Sequence, residues 1–93
     1  MNIMIPTWIE LIGVLAGLLG VVAWLPQIRK VWWDGKHDGI SLPSFGLVFI
    51  ALILWLIYGL LINSLAMTIS NISALTCILA IIIGVLRLRR KTI

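Results

Sequence analysis

Residues 42–86 read LPSFGLVFIALILWLIYGLLINSLAMTISNISALTCILAIIIGVL and contain no charged side chain. A transmembrane helix needs about 20 predominantly apolar residues. The stretch is long enough for two such helices, and Asn63 and Ser64 provide a short polar connection near its middle. It therefore predicts a membrane-spanning helical hairpin, with helices over about 42–62 and 65–86.

A third helix of spanning length precedes this hairpin. Residues 11–25 contain no polar or charged side chain, and the helix is expected to cover about 7–31. Pro26 near its end removes one N–H and crowds the carbonyl of Val22, which predicts a kink. Ser41 can cap the next helix after a turn-rich loop. We expect an all-α membrane protein, a single three-helix transmembrane domain over 1–93.

The composition excludes several other classes. Of the 93 residues, 62% are hydrophobic and 11% are charged. Soluble domains carry about 25% charged residues, and disordered chains need still more. The net charge of +4 lies beside apolar runs, so we expect the lipid bilayer as partner and no nucleic acid. Three helices make a thin bundle, which predicts that one copy cannot form a transport path alone.

The basic residues predict the orientation. With three crossings, all seven fall on one side of the membrane: Arg29, Lys30, Lys36, Arg87, Arg89, Arg90 and Lys91. Positive charges favour the cytoplasmic side. We therefore expect a multi-pass protein of the cell's inner (plasma) membrane, with its N-terminus outside and its C-terminus in the cytoplasm. Trp8, Trp32 and Trp33 lie where interfacial aromatic residues are expected.

Two stripes of small residues predict close helix contacts. Gly13, Gly17 and Gly20 share one face of the first helix, and the first two form a GxxxG pattern. The third helix carries small residues at spacings of three and four throughout its length: Ala66, Ser70, Ser73, Cys77, Ala80 and Gly84. Such faces let helix backbones approach closely in a membrane.

Trp55 and Asn71 are the unusual side chains inside the membrane. Each lies a similar number of residues from the Asn63-Ser64 connection, so both are expected at one depth in the outer half. An indole face and an amide at one level suit a sugar, although core packing explains Trp55 equally well. Asn71 must face a neighbour or a cavity, because an unpaired amide in hydrocarbon is costly. An interhelical hydrogen bond and a substrate contact remain equal alternatives.

The sequence lacks the residues that catalysis or metal binding would need. Thr76 is expected to return its hydroxyl to its own backbone. Cys77 is the single cysteine and His37 the single histidine, so no metal cluster is expected. Glu10 lies near the outer end of the first helix, and no carboxylate lies at mid-membrane for a proton relay. We expect no enzyme activity, catalytic residue, metal or cofactor.

The chain resembles the SemiSWEET family of bacterial sugar transporters within the PQ-loop superfamily. The resemblance rests on Pro26-Gln27, on a short basic loop that ends in DGISL at 38–42, and on Trp55 and Asn71. It covers essentially the whole chain.

This resemblance implies a parallel homodimer that works as a bidirectional facilitative sugar uniporter by alternating access, with the path on the two-fold axis. Trp55 and Asn71 of each copy would bind a mono- or disaccharide in the central pocket. Pro26 and Gln27 would form the hinge, and Tyr58 the outer gate. Family members can place charges shortly after this tyrosine, whereas this chain has Ile62, Asn63 and Ser64.

Two other functions are alternatives. One is a PQ-loop carrier of amino acids of the cystine type, against which the lack of a mid-membrane carboxylate argues. The other is a small membrane protein without transport activity, either a holin-like pore or an accessory subunit.

Overall fold

The computed structural model describes residues 5–91 and contains three helices. Helix α1 covers Thr7–Trp32, α2 covers Leu42–Leu61 and α3 covers Leu65–Lys91. All three are long and apolar enough to cross a membrane. The prediction of an all-helical chain with three spanning segments is confirmed.

The main difference from the expected bounds is at the end of α3, which continues five residues past Leu86 to Lys91. The extension packs against the α1–α2 loop. Arg89 donates from Nη2 to the Ile40 carbonyl at 2.8 Å and from Nε to His37 Nδ1 at 3.3 Å. Basic side chains also suit the negative end of a helix dipole.

Ser41 caps the start of α2 as expected, and Pro43 follows it. Ser41 Oγ accepts a hydrogen bond from the Ser44 N–H at 3.3 Å, and the proline occupies the first turn. The proline lacks an N–H that would otherwise be unpaired at this position. The predicted cap is therefore confirmed.

Helix α3 lies between α1 and α2, which both pack against it and whose backbones do not contact each other. Gly13 faces Ala66, Gly17 faces Ser70, and Val31 faces Gly84. In each pair the two residue numbers differ by 53, so α1 and α3 run parallel. This is the arrangement that an up-down-up path through a membrane requires.

The small-residue stripes form the α1–α3 contact. A Cβ atom placed on Gly13 would lie 2.8 Å from Ala66 Cβ, and one on Gly17 would lie 2.9 Å from Ser70 Cβ. Only glycine allows backbones this close. The prediction holds for these two residues and is wrong for Gly20, where a Cβ would meet nothing within 4 Å. The close contact of the glycine stripe therefore ends between Gly17 and Gly20.

Helices α2 and α3 form the antiparallel hairpin. Gly59 packs against Met67, with 3.0 Å between a Cβ placed on the glycine and Met67 Cγ. Trp55 lies four residues before Gly59, and Asn71 lies four residues after Met67. Because the helices are antiparallel, Trp55 and Asn71 lie at one level, about 6 Å from this contact along the helices.

The buried core lies toward one end of the bundle. We call this the basic end, because residues 29–38 and 87–91 there contain all seven Lys and Arg residues. The core cluster comprises Val31, Ile40, Ile81 and Val85. Beside it, the Trp24 ring of α1 meets the Phe45 ring of α2 edge to face, at 5.8 Å between centroids. Side chains of α1 and α2 thus meet in this half of the bundle.

The end of α1 contacts both α3 and the α1–α2 loop. Trp32 Nε1 donates to the Ala80 carbonyl at 2.9 Å, and the Arg87 guanidinium lies 5.4 Å from the Trp32 ring centroid. Lys30 Nζ donates to the Asp38 carbonyl. Trp32 therefore packs on α3, whereas Trp33 is 84% exposed.

The three helices form a thin layer measuring 53 × 21 × 15 Å. The buried hydrophobic residues are few, and many large apolar side chains are exposed along all three helices. Such a surface is suited to lipid or to another apolar chain.

Candidate functional site

The candidate site is a groove between α1 and α2, with α3 as its floor. It lies in the half of the bundle opposite the basic end and extends to Trp55 and Asn71. We call it the central groove, because it lies between the two outer helices. It has a volume of about 540 Å³, which is within the usual range for small-molecule sites. It is lined by Ile5, Ile9, Glu10, Gly13, Ala16, Gly17, Trp55, Ile62, Ser64, Ala66, Met67, Ser70 and Asn71.

The groove contains both residues that the sequence predicts for a sugar pocket. Trp55 projects from α2 with 53% of its surface exposed, and Asn71 projects from α3 with 9% exposed. The side chains reach the groove from different helices at one level. An aromatic face and an amide therefore share one concave surface.

The Asn71 amide has no hydrogen-bond partner among residues 5–91. An amide group can form several hydrogen bonds through its two donors and its acceptor. Of the two equal alternatives, an interhelical hydrogen bond is thus not formed among the described residues 5–91. This leaves the amide available to a ligand or to a second chain.

The hydroxyl groups of α3 differ from Asn71, because most of them bond to their own helix. Thr76 Oγ1 donates to the Ile72 carbonyl at 2.9 Å, which confirms the sequence prediction. Ser73 Oγ donates to the Ile69 carbonyl at 2.9 Å, and Thr68 Oγ1 donates to the Ser64 carbonyl at 2.7 Å. These groups need no further partner, so Asn71 is the distinctive polar group of this helix.

Tyr58 lies beside Trp55 and does not line the central groove. The two rings meet edge to face, with centroids 5.6 Å apart. They form a separate shallow pocket together with Ala51 and Leu54. Tyr58 is one turn closer than Trp55 to the Asn63-Ser64 connection, which is the level that an outer gate would occupy.

Pro26 and Gln27 lie apart from Trp55 and Asn71. Helix α1 continues through Pro26, which borders a second groove of about 740 Å³ together with Val22 and Leu25. The Oε1 atom of Gln27 is buried and has no hydrogen-bond partner among the described residues. A buried acceptor without a partner is uncommon in folded proteins, and this one lies directly after the proline inside α1.

The sequence alone missed the contacts of Glu10. Ser64 Oγ donates to Glu10 Oε1 at 2.9 Å, and the Ala66 N–H donates to Glu10 Oε2 at 2.5 Å. Ser64 also caps α3, because its Oγ accepts from the Met67 N–H at 3.1 Å. Glu10 thus ties α1 to the first turn of α3 at the mouth of the groove. The sequence feature that could have indicated this role is that Glu10 is an isolated acidic residue in an otherwise uncharged segment.

Three comparisons identify relatives of the chain. The family model of the PQ loop repeat matches residues 8–68. A sugar transporter SemiSWEET from Bradyrhizobium diazoefficiens is 42% identical over 84 residues, which cover 90% of this chain and 95% of the relative. A second sugar transporter SemiSWEET, from Leptospira biflexa, is 32% identical over 66 residues, which cover 71% and 78%.

A solved structure has the same fold. It is the crystal structure of a bacterial homologue of SWEET transporters, with a TM-score of 0.80 and 32% identity. The match covers 85% of this chain and 95% of the other.

Three spanning helices around a groove that contains Trp55 and Asn71, together with the matching repeat, define a small membrane protein of the PQ-loop class. Within that class, the chain belongs to the SemiSWEET family. The curated relatives are named as transporters rather than as enzymes.

Proposed function

We propose that this protein carries a mono- or disaccharide across the inner (plasma) membrane as a bidirectional uniporter. The observation that supports this most is the pairing of Trp55 with Asn71 in the central groove. The indole can stack on the C–H face of a sugar ring, while the amide can exchange hydrogen bonds with hydroxyl groups. Because the relatives are named as sugar transporters, we take a sugar as the substrate.

The working unit is a parallel homodimer with its path on the two-fold axis. One copy supplies α1, α2 and α3 as three walls of a groove in a layer 15 Å thin in its shortest dimension. A second copy that faces it supplies the missing wall, and symmetry places each pocket residue twice. The basic end faces the cytoplasm, in agreement with the positive-inside rule.

The unequal packing of the two halves supports a mechanism of alternating access. The basic half is filled by the core cluster and by the Trp24–Phe45 contact, while the other half contains the groove. Bending of α1 at Pro26 and Gln27 would release the packed half. Tyr58, together with its neutral neighbours, would then close the outer end.

Uptake into liposomes tests this function. Purified protein is reconstituted and supplied with a panel of labelled sugars that includes glucose and sucrose, without a proton gradient. We expect saturable uptake. Its rate should not change when a proton ionophore is added. Exchange against sugar preloaded inside the liposomes is expected as well, because a uniporter works in both directions.

Other results of the same assay support the alternatives. Uptake of amino acids driven by a pH gradient would favour a carrier of the cystine type. Leakage of an encapsulated dye without saturable sugar uptake would favour a holin-like pore. Either result would contradict the proposed function.

A further inference from the structure

Glu10 is the charged residue farthest from the basic end of the bundle. Its two carboxylate oxygens accept hydrogen bonds from Ser64 Oγ at 2.9 Å and from the Ala66 N–H at 2.5 Å. Two acceptor oxygens are the pattern of an ionised carboxylate. Because both donors belong to the start of α3, the orientation of this charge is fixed.

Glu10 lies between the end of the bundle and the Trp55–Asn71 level. The register of α1 on α3 places it beside residue 63, and therefore about 12 Å from the level of Asn71 along the helices. The groove lining continues past it to Ile9 and Ile62. A molecule that moves along the groove from this end to Asn71 must pass the carboxylate.

No basic side chain of the described part of the chain compensates this charge. The nine other charged side chains belong to residues 29–38 and 87–91. The nearest of them along α1 is Arg29, about 28 Å away. The first-turn N–H groups of α3 supply only the partial positive charge of a helix terminus. A cleft with one sign of charge and apolar walls concentrates that field on whatever enters it.

We propose that Glu10 sets the charge selectivity of the pathway. It admits neutral sugars and disfavours anionic ones of the same size, such as sugar acids and sugar phosphates. The proposal rests on the proposed function, because it specifies the substrate class of that same groove. In a symmetric dimer two carboxylates act at the same mouth.

The test measures how well gluconate inhibits uptake of labelled glucose or sucrose into liposomes, with unlabelled glucose as the neutral inhibitor. We expect gluconate to inhibit uptake by wild type only poorly. In Glu10→Gln, which keeps the size of the side chain and one acceptor oxygen, gluconate is expected to become a better inhibitor by about threefold or more. Inhibition by unlabelled glucose stays nearly unchanged.

Two control variants separate charge from packing. Glu10→Asp keeps the charge and shortens the side chain, so the ratio of gluconate to glucose inhibition should stay close to the wild-type value. Asp34→Asn removes a negative charge at the basic end and should leave the ratio unchanged too. A ratio in Glu10→Gln equal to that of wild type overturns the proposal.

Ionic strength tests the same idea without any substitution. At 1 M salt the Debye length is about 3 Å, so wild type should discriminate less against gluconate than it does at low salt. Discrimination that does not change with salt contradicts a role for Glu10 charge. Absence of any sugar uptake by wild type is a separate outcome, and it would refute the proposed function itself.

Discussion

Asn71 is the residue whose surroundings indicate most about function. It is nearly buried, lines a groove and has no hydrogen-bond partner among residues 5–91. Its amide faces the groove, so its donors and acceptor are available to a substrate or to a second chain. Trp55 faces the same groove at the same level with half of its surface open.

Replacing either residue should strongly reduce sugar uptake. In a symmetric dimer each substitution removes two contacts. For Asn71→Ala the loss of two hydrogen bonds of about 1 kcal/mol each lowers uptake by roughly tenfold or more, and Trp55→Ala loses both stacking surfaces. Asn71→Ala and Trp55→Ala are therefore compared with wild type by initial rates in liposomes, after the oligomeric state of each variant has been checked.

Two substitutions serve as matched controls for this experiment. Thr76→Ala removes a hydroxyl that bonds to its own helix, and Trp33→Ala removes an indole that is 84% exposed at the basic end. Both should transport at close to the wild-type rate. Normal uptake by Asn71→Ala and Trp55→Ala would show that the sugar binds elsewhere.

At the scale of helices, the packing of α1 on α3 depends on two glycines and not on the third. A Cβ on Gly17 would lie 2.9 Å from Ser70 Cβ, whereas a Cβ on Gly20 would meet no atom within 4 Å. Their spacing in the sequence places Gly17 and Gly20 on the same face of α1. Their environments differ because the glycine contact with α3 ends between them.

Gly17→Ala should destabilise the fold, and Gly20→Ala should not. Overpacking of this kind typically costs about 1–3 kcal/mol, while alanine in an open helical position is neutral or slightly stabilising. The comparison is made by thermal unfolding of the two variants in one detergent. Equal midpoints for both variants would contradict the described α1–α3 contact.

The last turn of α3 should protect the α1–α2 loop. Arg89 holds this loop through the Ile40 carbonyl and His37. Arg89→Gln should therefore make the chain more sensitive to tryptic cleavage after Lys36. Arg90 is exposed, and Arg90→Gln provides the control with the same loss of charge. Equal cleavage of the two variants would mean that Arg89 does not hold the loop.

Much of this architecture was predictable at the scale of helices, because it depends on local patterns. Long apolar runs define three spanning segments, and small residues at helical spacing identify the face where α3 meets α1. The contacts of Arg89 with the loop and of Glu10 with Ser64 and Ala66 were not predictable. They join residues about 50 positions apart, so no local pattern contains them.

At the scale of the whole molecule, one chain forms an open groove, and the proposed second copy would enclose it. The sequence predicted that Trp55 and Asn71 share a depth, because counting residues from one connection fixes the level on both helices. It did not predict that α3 lies between α1 and α2, since only the α2–α3 hairpin follows from chain order. That central position of α3 makes the groove open on one side.

The shared pathway is tested most directly by mixing wild-type and Asn71→Ala chains. Equal amounts are coexpressed so that dimers form at random, and sugar uptake is compared with that of wild type at the same total protein. If both copies build one pocket and a defective copy inactivates the dimer, about one quarter of wild-type uptake remains, as expected for a symmetric pair. Uptake near one half, as expected for chains that work independently, would contradict a pocket built by two chains.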